Sequence, residues 1–168
     1  LMTDKVDIRQ LSLEELTEKL VALGEKPFRA KQVHEWLWKK RATNFSDMTN
    51  LSLPLRELIN DHFIINAIKL SEAQKSDDRT IKNAFLLADD AVIEGVLIPT
   101  KKRMTACVSV QVGCSLDCAF CATGKLKRVR NLNPDEIYDQ VVMISNQAKD
   151  EYNIPLSNIV FMGMGEPL

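Results

Sequence analysis

The spacing of apolar residues divides the sequence into a helical first part and a strand-rich remainder. In roughly the first third, apolar side chains recur every three or four positions, as they do along one face of a helix. Ser12 and Glu15 have the spacing of a capping box, so a first helix begins after Ser12. Pro27 suits the first turn of a second helix, and Ser52 precedes a third. We therefore predict a small helical bundle over residues 1–63.

Aromatic and basic residues share the second predicted helix. Phe28 and Trp36 are expected to pack in the core of the bundle, as large aromatic side chains usually do. His34 and His62 are interpreted as ordinary polar residues and not as metal ligands. The same segment carries six basic residues: Lys26, Arg29, Lys31, Lys39, Lys40 and Arg41.

A change to short β-rich runs follows near residue 64. The runs are Ile65–Gln74, Thr80–Ala88 and Ala91–Pro99, and Asp-Asp pairs between them are typical of turns. We predict a short antiparallel β extension over residues 64–100. Glu94 interrupts the apolar third run, so it either faces solvent from an edge strand or has a function, because an unpaired buried carboxylate is costly.

The remaining segment, residues 101–168, has the pattern of a βαβ unit. Met104–Val112 is predicted as one strand, Asn133 and Pro134 begin a helix, and Asn158–Met162 is a second strand. Such units have parallel strands, and their functional loops follow the carboxyl ends of those strands. The predicted fold class is therefore α+β to α/β.

Three of the four cysteines form a C-x3-C-x2-C motif in the loop after the first of these strands. Cys114, Cys118 and Cys121 offer soft thiolate ligands, which select iron–sulfur clusters or zinc, and leave one coordination position open. A zinc site completed by a distant histidine is the alternative, whereas a disulfide is disfavoured. The fourth cysteine, Cys107, precedes the motif by seven residues. In an extended strand these residues span about 23 Å at most, so Cys107 is not expected to be a fourth ligand without a sharp bend. It is first interpreted as a small buried residue.

This motif resembles that of the radical S-adenosylmethionine (SAM) enzymes. The wider context, Cys107–Cys114 (CVSVQVGC) and Gly163–Leu168 (GMGEPL), resembles the RlmN-type dual-specificity methyltransferases, which act on carbon 2 of adenine in 23S rRNA and tRNA. The resemblance implies that the three loop cysteines hold a 4Fe–4S cluster whose fourth iron binds SAM. It also implies cofactor-binding roles for Gly165 and Glu166 and catalytic roles for Glu94 and Cys107. The helical part, residues 1–63, is implied to be an RNA-binding accessory domain.

The resemblance also implies a larger enzyme. In such enzymes the counterpart of Cys107 resolves a covalent intermediate formed through a second cysteine near the carboxyl terminus, and the barrel has six β/α units. This sequence has neither, so we expect it to be the N-terminal portion, with residues 101–168 as a truncated start of the barrel. We expect the portion to be inactive alone and open to association through a bare sheet edge. The full-length form is expected to be a monomer.

Basic residues lie on both sides of the cysteine motif in the sequence. The chain has a net charge of −1, but Lys101, Lys102 and Arg103 precede the motif strand, and a second basic group follows the motif at Lys125, Lys127, Arg128 and Arg130. These groups are either solvated surface or phosphate contacts for RNA.

The sequence has no apolar run of the ~20 residues that a membrane span needs and no visible signal peptide, so we expect a cytoplasmic protein with no membrane association. Two alternatives to the carbon-2 enzyme remain open. One is the relative that methylates carbon 8, and the other is a non-catalytic, zinc-bound RNA-binding module.

Overall fold

The structure is a computed structural model that describes residues 5–101, 103–116 and 118–166. Lys102 of the predicted basic group and the final two residues of the GMGEPL segment lie outside the described residues. The chain divides into two compact units, one up to Asn66 and one from Ala67 onward. None of the described helices combines the length and the apolar character needed to cross a membrane.

The described residues of the first unit form three α-helices and a two-stranded parallel sheet: β1 (Val6–Asp7), α1 (Leu13–Ala22), α2 (Phe28–Trp38), α3 (Leu53–His62) and β2 (Phe63–Ile64). The predicted capping box is confirmed, since Ser12 Oγ accepts the Glu15 N–H at 3.1 Å and Glu15 Oε2 accepts the Ser12 N–H at 2.7 Å. Leu20, Val33 and Ile59 lie in the core that the three helices enclose. The predicted helical bundle is thus present.

The predicted burial of Phe28 is wrong. Its side chain is 52% exposed, and the Arg29 guanidinium lies 4.9 Å from its ring centre. The buried face of α2 passes through Ala30 and Val33, and Phe28 precedes Ala30 by two residues, about half a helical turn away. Trp36 is half-buried and donates its indole N–H to the Asn50 side chain.

The described part of the second unit contains a five-stranded mixed sheet, a two-stranded sheet and one long α-helix. Its elements are β3 (Lys69–Lys75), β4 (Ile81–Leu86), β5 (Val92–Pro99), β6 (Met104–Cys107), β7 (Gln111–Val112), β8 (Arg130–Asn131), α4 (Pro134–Tyr152) and β9 (Asn158–Val160). The sheet order is β3-β4-β5-β6-β9, antiparallel except for the parallel pair β6–β9. The mixed α/β class is confirmed, and closure into a barrel stays a prediction. The sheet also runs across the predicted boundary at residue 100.

Helix α4 crosses from β6 to β9 and covers one face of this sheet. Ile144 packs with Phe85 and Ile93, and a Cβ added at Gly95 would lie 2.8 Å from the Phe85 ring and 3.2 Å from Ile144 Cδ1. Gly95 therefore lets the helix and a neighbouring strand approach closely. Because strand side chains alternate, Glu94 lies on the opposite face.

The single strand predicted over Met104–Val112 is divided in the structure. Up to Cys107 it pairs with β5 and β9, and at Val112 it pairs with β8. Between these two segments, Val108 N–H donates to Val160 O at 3.0 Å and Val110 N–H donates to Met164 O at 3.0 Å. The hydrogen-bonding partner of this segment changes twice. The segment is mostly apolar, so its periodicity does not show where the strand is divided.

Candidate cofactor and active site

The cysteine loop is closed at its base by the short antiparallel pair β7–β8. Gly113 has φ +73°, and a Cβ there would lie 2.1 Å from Lys127 O, so only glycine fits. Cys114 N–H donates to Leu126 O at 3.2 Å across the same base. The first motif cysteine is therefore fixed where the loop leaves the sheet.

The described remainder of the loop winds tightly around Gly124. A Cβ at Gly124 would lie 2.9 Å from Cys118 O, and Cys121 N–H donates to the same oxygen at 3.0 Å. Backbone N–H groups of Gly124 and Thr123 donate to the Cys121 sulfur and lower the pKa of its thiol. Leu116 N–H likewise donates to Cys114 Sγ at 3.4 Å. The two donors at Cys121 favour the thiolate form of that residue, which is the form that binds metals.

The donor set suits an iron–sulfur cluster. All four cysteines are free thiols, and the three in the loop are partly exposed. Within residues 5–101, 103–116 and 118–166, no three Cys, His, Asp or Glu side chains are grouped so that they could hold a single metal ion. A 4Fe–4S cluster needs a wider arrangement, since each cysteine binds a separate iron.

Arg130, which follows the loop, is bound by two carboxylates, whereas the sequence offered it as a possible phosphate contact. Its guanidinium forms two hydrogen bonds with the Glu136 carboxylate, at 2.7 and 2.8 Å, and a third with Asp89 Oδ2 at 2.8 Å. Both carboxylates raise the pKa of the guanidinium, Glu136 more strongly. Glu136 also accepts the Asn133 N–H at 2.8 Å, which confirms the predicted start of α4. Arg130 thus ties the cysteine loop to the amino end of that helix.

The Gly-Met-Gly-Glu turn (Gly163–Glu166) follows β9 and lies against residues 108–111. Gly163 N–H donates to Val108 O at 3.0 Å, and a Cβ at Gly163 would lie 2.6 Å from Ser109 Oγ. Met164, between the two glycines of the turn, is 7% exposed and belongs to the sheet core. The turn therefore joins the sheet beside the strand that leads to the cysteines.

Gly165 and Glu166 are held by one buried glutamine. Gly165 has φ +94°, and its added Cβ would lie 2.4 Å from Gln111 Cβ. Glu166 N–H donates to Gln111 Oε1 at 3.2 Å, while the Glu166 residue itself is exposed. A carboxylate at this place is accessible to an ammonium group of a ligand.

Cys107 and Glu94 share the sheet face opposite α4. Cys107 is 9% exposed, and burial raises the pKa of its thiol, an effect that the Met162 N–H partly offsets. Its partner on β5 is Val96, so Glu94 is its diagonal neighbour, about 7–8 Å away. Glu94 is 47% exposed and pairs with Lys82 Nζ at 2.9 Å; it lies on a central strand and not on the edge strand of the alternative interpretation.

Sequence reasoning missed three buried polar residues that connect these parts: Ser109, Gln111 and Gln140. Gln140 Oε1 accepts the Ser109 N–H at 2.9 Å, and its Nε2 donates to Ser109 O at 3.1 Å. The sequence feature that could have revealed them is the presence of polar residues inside an otherwise apolar strand and on the buried face of a helix. Such residues need partners when buried, and that need points to a network.

The fold that carries this cysteine loop and glycine–glutamate turn is similar to that of a solved radical SAM enzyme. The fold agrees with the crystal structure of a radical SAM methyltransferase from Sphaerobacter thermophilus, with a TM-score of 0.81 and 38% identity. That match covers 96% of this chain and 48% of the other.

Residues 6–65 match the family described as the ribosomal RNA large subunit methyltransferase N-terminal domain, RlmN_N. A relative from Christiangramia forsetii, named "Probable dual-specificity RNA methyltransferase RlmN", is 62% identical over 98% of this chain and 47% of its own length. The "Dual-specificity RNA methyltransferase RlmN" of Geotalea uraniireducens is 44% identical over 98% of this chain and 46% of its own. The chain is thus a homologue of the RlmN methyltransferases and spans about half the length of these relatives.

Proposed function

We propose that this chain carries the cluster and SAM sites of a radical SAM enzyme that methylates carbon 2 of an adenine in 23S rRNA and tRNA. The observation that carries the proposal is the placement of the cysteine loop and the Gly-Met-Gly-Glu turn side by side, hydrogen-bonded to one short stretch of chain, residues 108–112. The relatives named dual-specificity RNA methyltransferases support methyl transfer to RNA.

The residues have separate tasks in this proposal. Cys114, Cys118 and Cys121 bind a 4Fe–4S cluster through three of its irons. The cluster and SAM, when bound, supply the radical chemistry that a ring carbon without nucleophilic character requires. Glu166 binds the amino group of SAM, and Gly165 beside it is the second proposed cofactor-binding residue. Cys107 and Glu94 act on the adenine from the sheet face opposite α4, with Glu94 as the proton acceptor.

The basic surface near the site is the proposed contact with RNA phosphates. Lys125, Lys127 and Arg128 of the cysteine loop are exposed, as are Lys101 and Arg103 before β6. Lysine and arginine side chains neutralise phosphates even when the net charge of a protein is close to zero. Arg130 is not part of this surface, because two carboxylates already bind it.

Anaerobic reconstitution of the 168-residue chain with iron and sulfide tests the cluster. We expect about four irons per chain and broad visible absorption. Cys114→Ala loses both, whereas the control Cys107→Ala keeps them, because Cys107 is not a proposed ligand. Stoichiometric zinc with no bound iron would support a zinc-binding module instead.

The position of methylation needs a separate assay. Adenine-containing RNA treated with the protein that carries this chain is digested to nucleosides and analysed by mass spectrometry against standards. We expect 2-methyladenosine. Formation of 8-methyladenosine would identify the carbon-8 activity instead, and loss of product in Glu94→Gln and Cys107→Ala would support their catalytic roles.

A further inference from the structure

The two loops of the proposed cofactor site share one buried amide. We propose that Gln111, together with Ser109, is a positioning residue that sets the place of the Gly-Met-Gly-Glu turn relative to the cysteine loop. This inference rests on the proposed function, because the turn and the loop are the proposed SAM and cluster sites.

Both ends of the Gln111 amide are used, one on each loop. Its Oε1 accepts the Glu166 N–H at 3.2 Å, and its Nε2 donates to Asn131 Oδ1 at 2.9 Å. Asn131 lies on β8, the strand to which the cysteine loop returns, and it also accepts a hydrogen bond from Arg128 of that loop at 2.9 Å. The side chain therefore spans from one loop to the base of the other.

Because Gln111 is buried, its two hydrogen bonds favour one position of the turn relative to the loop. Gln111 is 5% exposed, so an amide end that lost its partner would be poorly hydrated, and leaving a buried polar group unpaired is costly. The turn is also in contact with the methylene groups of the same side chain at Gly165, where no Cβ fits. A shift of Glu166 would consequently break a hydrogen bond and create an overlap.

Ser109 attaches the strand of Glu94 to the same turn. Its hydroxyl donates to Glu94 O at 2.5 Å and accepts the Met164 N–H at 2.7 Å. The backbone of Ser109 is in turn bound on both sides by Gln140 of α4. The strand of the proposed proton acceptor and the proposed SAM-binding turn are thereby fixed to one fully buried hydroxyl.

A second amide pair in the same unit provides the contrast. Asn83 on β4 and Gln147 on α4 exchange two hydrogen bonds, at 2.9 and 3.0 Å, and neither side chain is hydrogen-bonded to the described residues of the cysteine loop or of the turn. If amide pairs here serve stability alone, both glutamines should respond alike to substitution. A positioning role predicts that only Gln111 affects the cofactor site.

The experiment compares Gln111→Met with Gln147→Met, the same substitution at the two glutamines. Each variant is reconstituted with the cluster, its iron content is measured, and its Kd for SAM is determined by equilibrium dialysis. Gln111→Met should keep the iron content of the parent chain and raise the Kd for SAM about tenfold, the effect of two lost hydrogen bonds. Gln147→Met should leave the Kd unchanged.

Amide hydrogen exchange of the chain without cofactors gives a second readout. Exchange in residues 161–166 should rise about tenfold in Gln111→Met and stay unchanged in Gln147→Met. Should Gln111→Met fold poorly, Asn131→Ala removes one of the two bonds from an exposed position and should raise the Kd for SAM about threefold.

The outcomes separate this inference from the proposed function. Unchanged SAM affinity and exchange in Gln111→Met or Asn131→Ala would overturn the inference alone. Equal weakening in Gln147→Met would also overturn it, because general loosening would then explain the result. A parent chain that takes up the cluster and binds no SAM would overturn the proposed function and the inference with it.

Discussion

Gly165→Ala is expected to be among the most damaging single methyl additions in the second unit. The added carbon would lie 2.4 Å from Gln111 Cβ and 2.6 Å from Gln111 Cγ, distances that real contacts do not reach. The backbone φ of +94° is also unfavourable for alanine, at a cost of about 1–2 kcal/mol. Overpacking adds about 1–3 kcal/mol. The expected loss in the free energy of unfolding is therefore about 2–5 kcal/mol.

Gly24→Ala is the matched control. Gly24 has φ +88°, and nothing lies within 4 Å of an added Cβ, so this substitution has the backbone cost of about 1–2 kcal/mol without the overlap. Hydrogen exchange followed by mass spectrometry gives the unfolding free energy of each unit separately, from peptides before and after residue 66. The reasoning fails if Gly165→Ala destabilises its unit no more than Gly24→Ala destabilises the other.

Three further predictions concern the second unit. Arg130→Met leaves the Glu136 carboxylate without its bidentate partner and should destabilise the unit by about 2–3 kcal/mol in urea unfolding, whereas Lys127→Met, at an exposed position, should have almost no effect. Arg130 lowers the pKa of the Asp89 carboxyl, so the stabilisation from this pair is complete above the ordinary aspartate pKa of about 3.9 and is lost as the pH falls through the lower folded-state value. The stability difference between the parent and Asp89→Asn should thus be constant from pH 8 to about pH 5 and shrink below about pH 4; a difference that grows in acid would contradict this. Iodoacetamide should label Cys107 last among the cysteines of the cofactor-free chain, because burial raises the pKa of its thiol; peptide mass spectrometry that finds Cys107 labelled first would refute it.

Features set by neighbouring residues could be predicted from the sequence. The capping boxes at Ser12 and Asn133 follow from side chains three residues apart, and both are present. The strands of the β extension and the helix between the two parallel strands follow from local periodicity in the same way. The position of the cysteine loop after one of these strands required only the order of the elements.

Features that join distant residues could not be predicted. Gln111 and Glu166 are 55 positions apart, Ser109 and Gln140 are 31 apart, and Arg130 meets Asp89 across 41. Nothing in the local pattern distinguishes a glutamine that bridges two loops from one on a surface. The exposure of Phe28 did have a local signal, because Phe28 lies off the apolar stripe of its helix. The prediction instead followed the general preference of aromatic side chains for the core.

The proposed function requires the cysteine loop to hold a cluster beside the site that binds the amino group of SAM. Electron–nuclear double resonance on the reduced, reconstituted chain, with SAM labelled with ¹⁵N at its amino group, tests this directly. We expect a hyperfine coupling between the labelled nitrogen and the cluster. A chain with full cluster content and saturating bound SAM that shows no such coupling would contradict it.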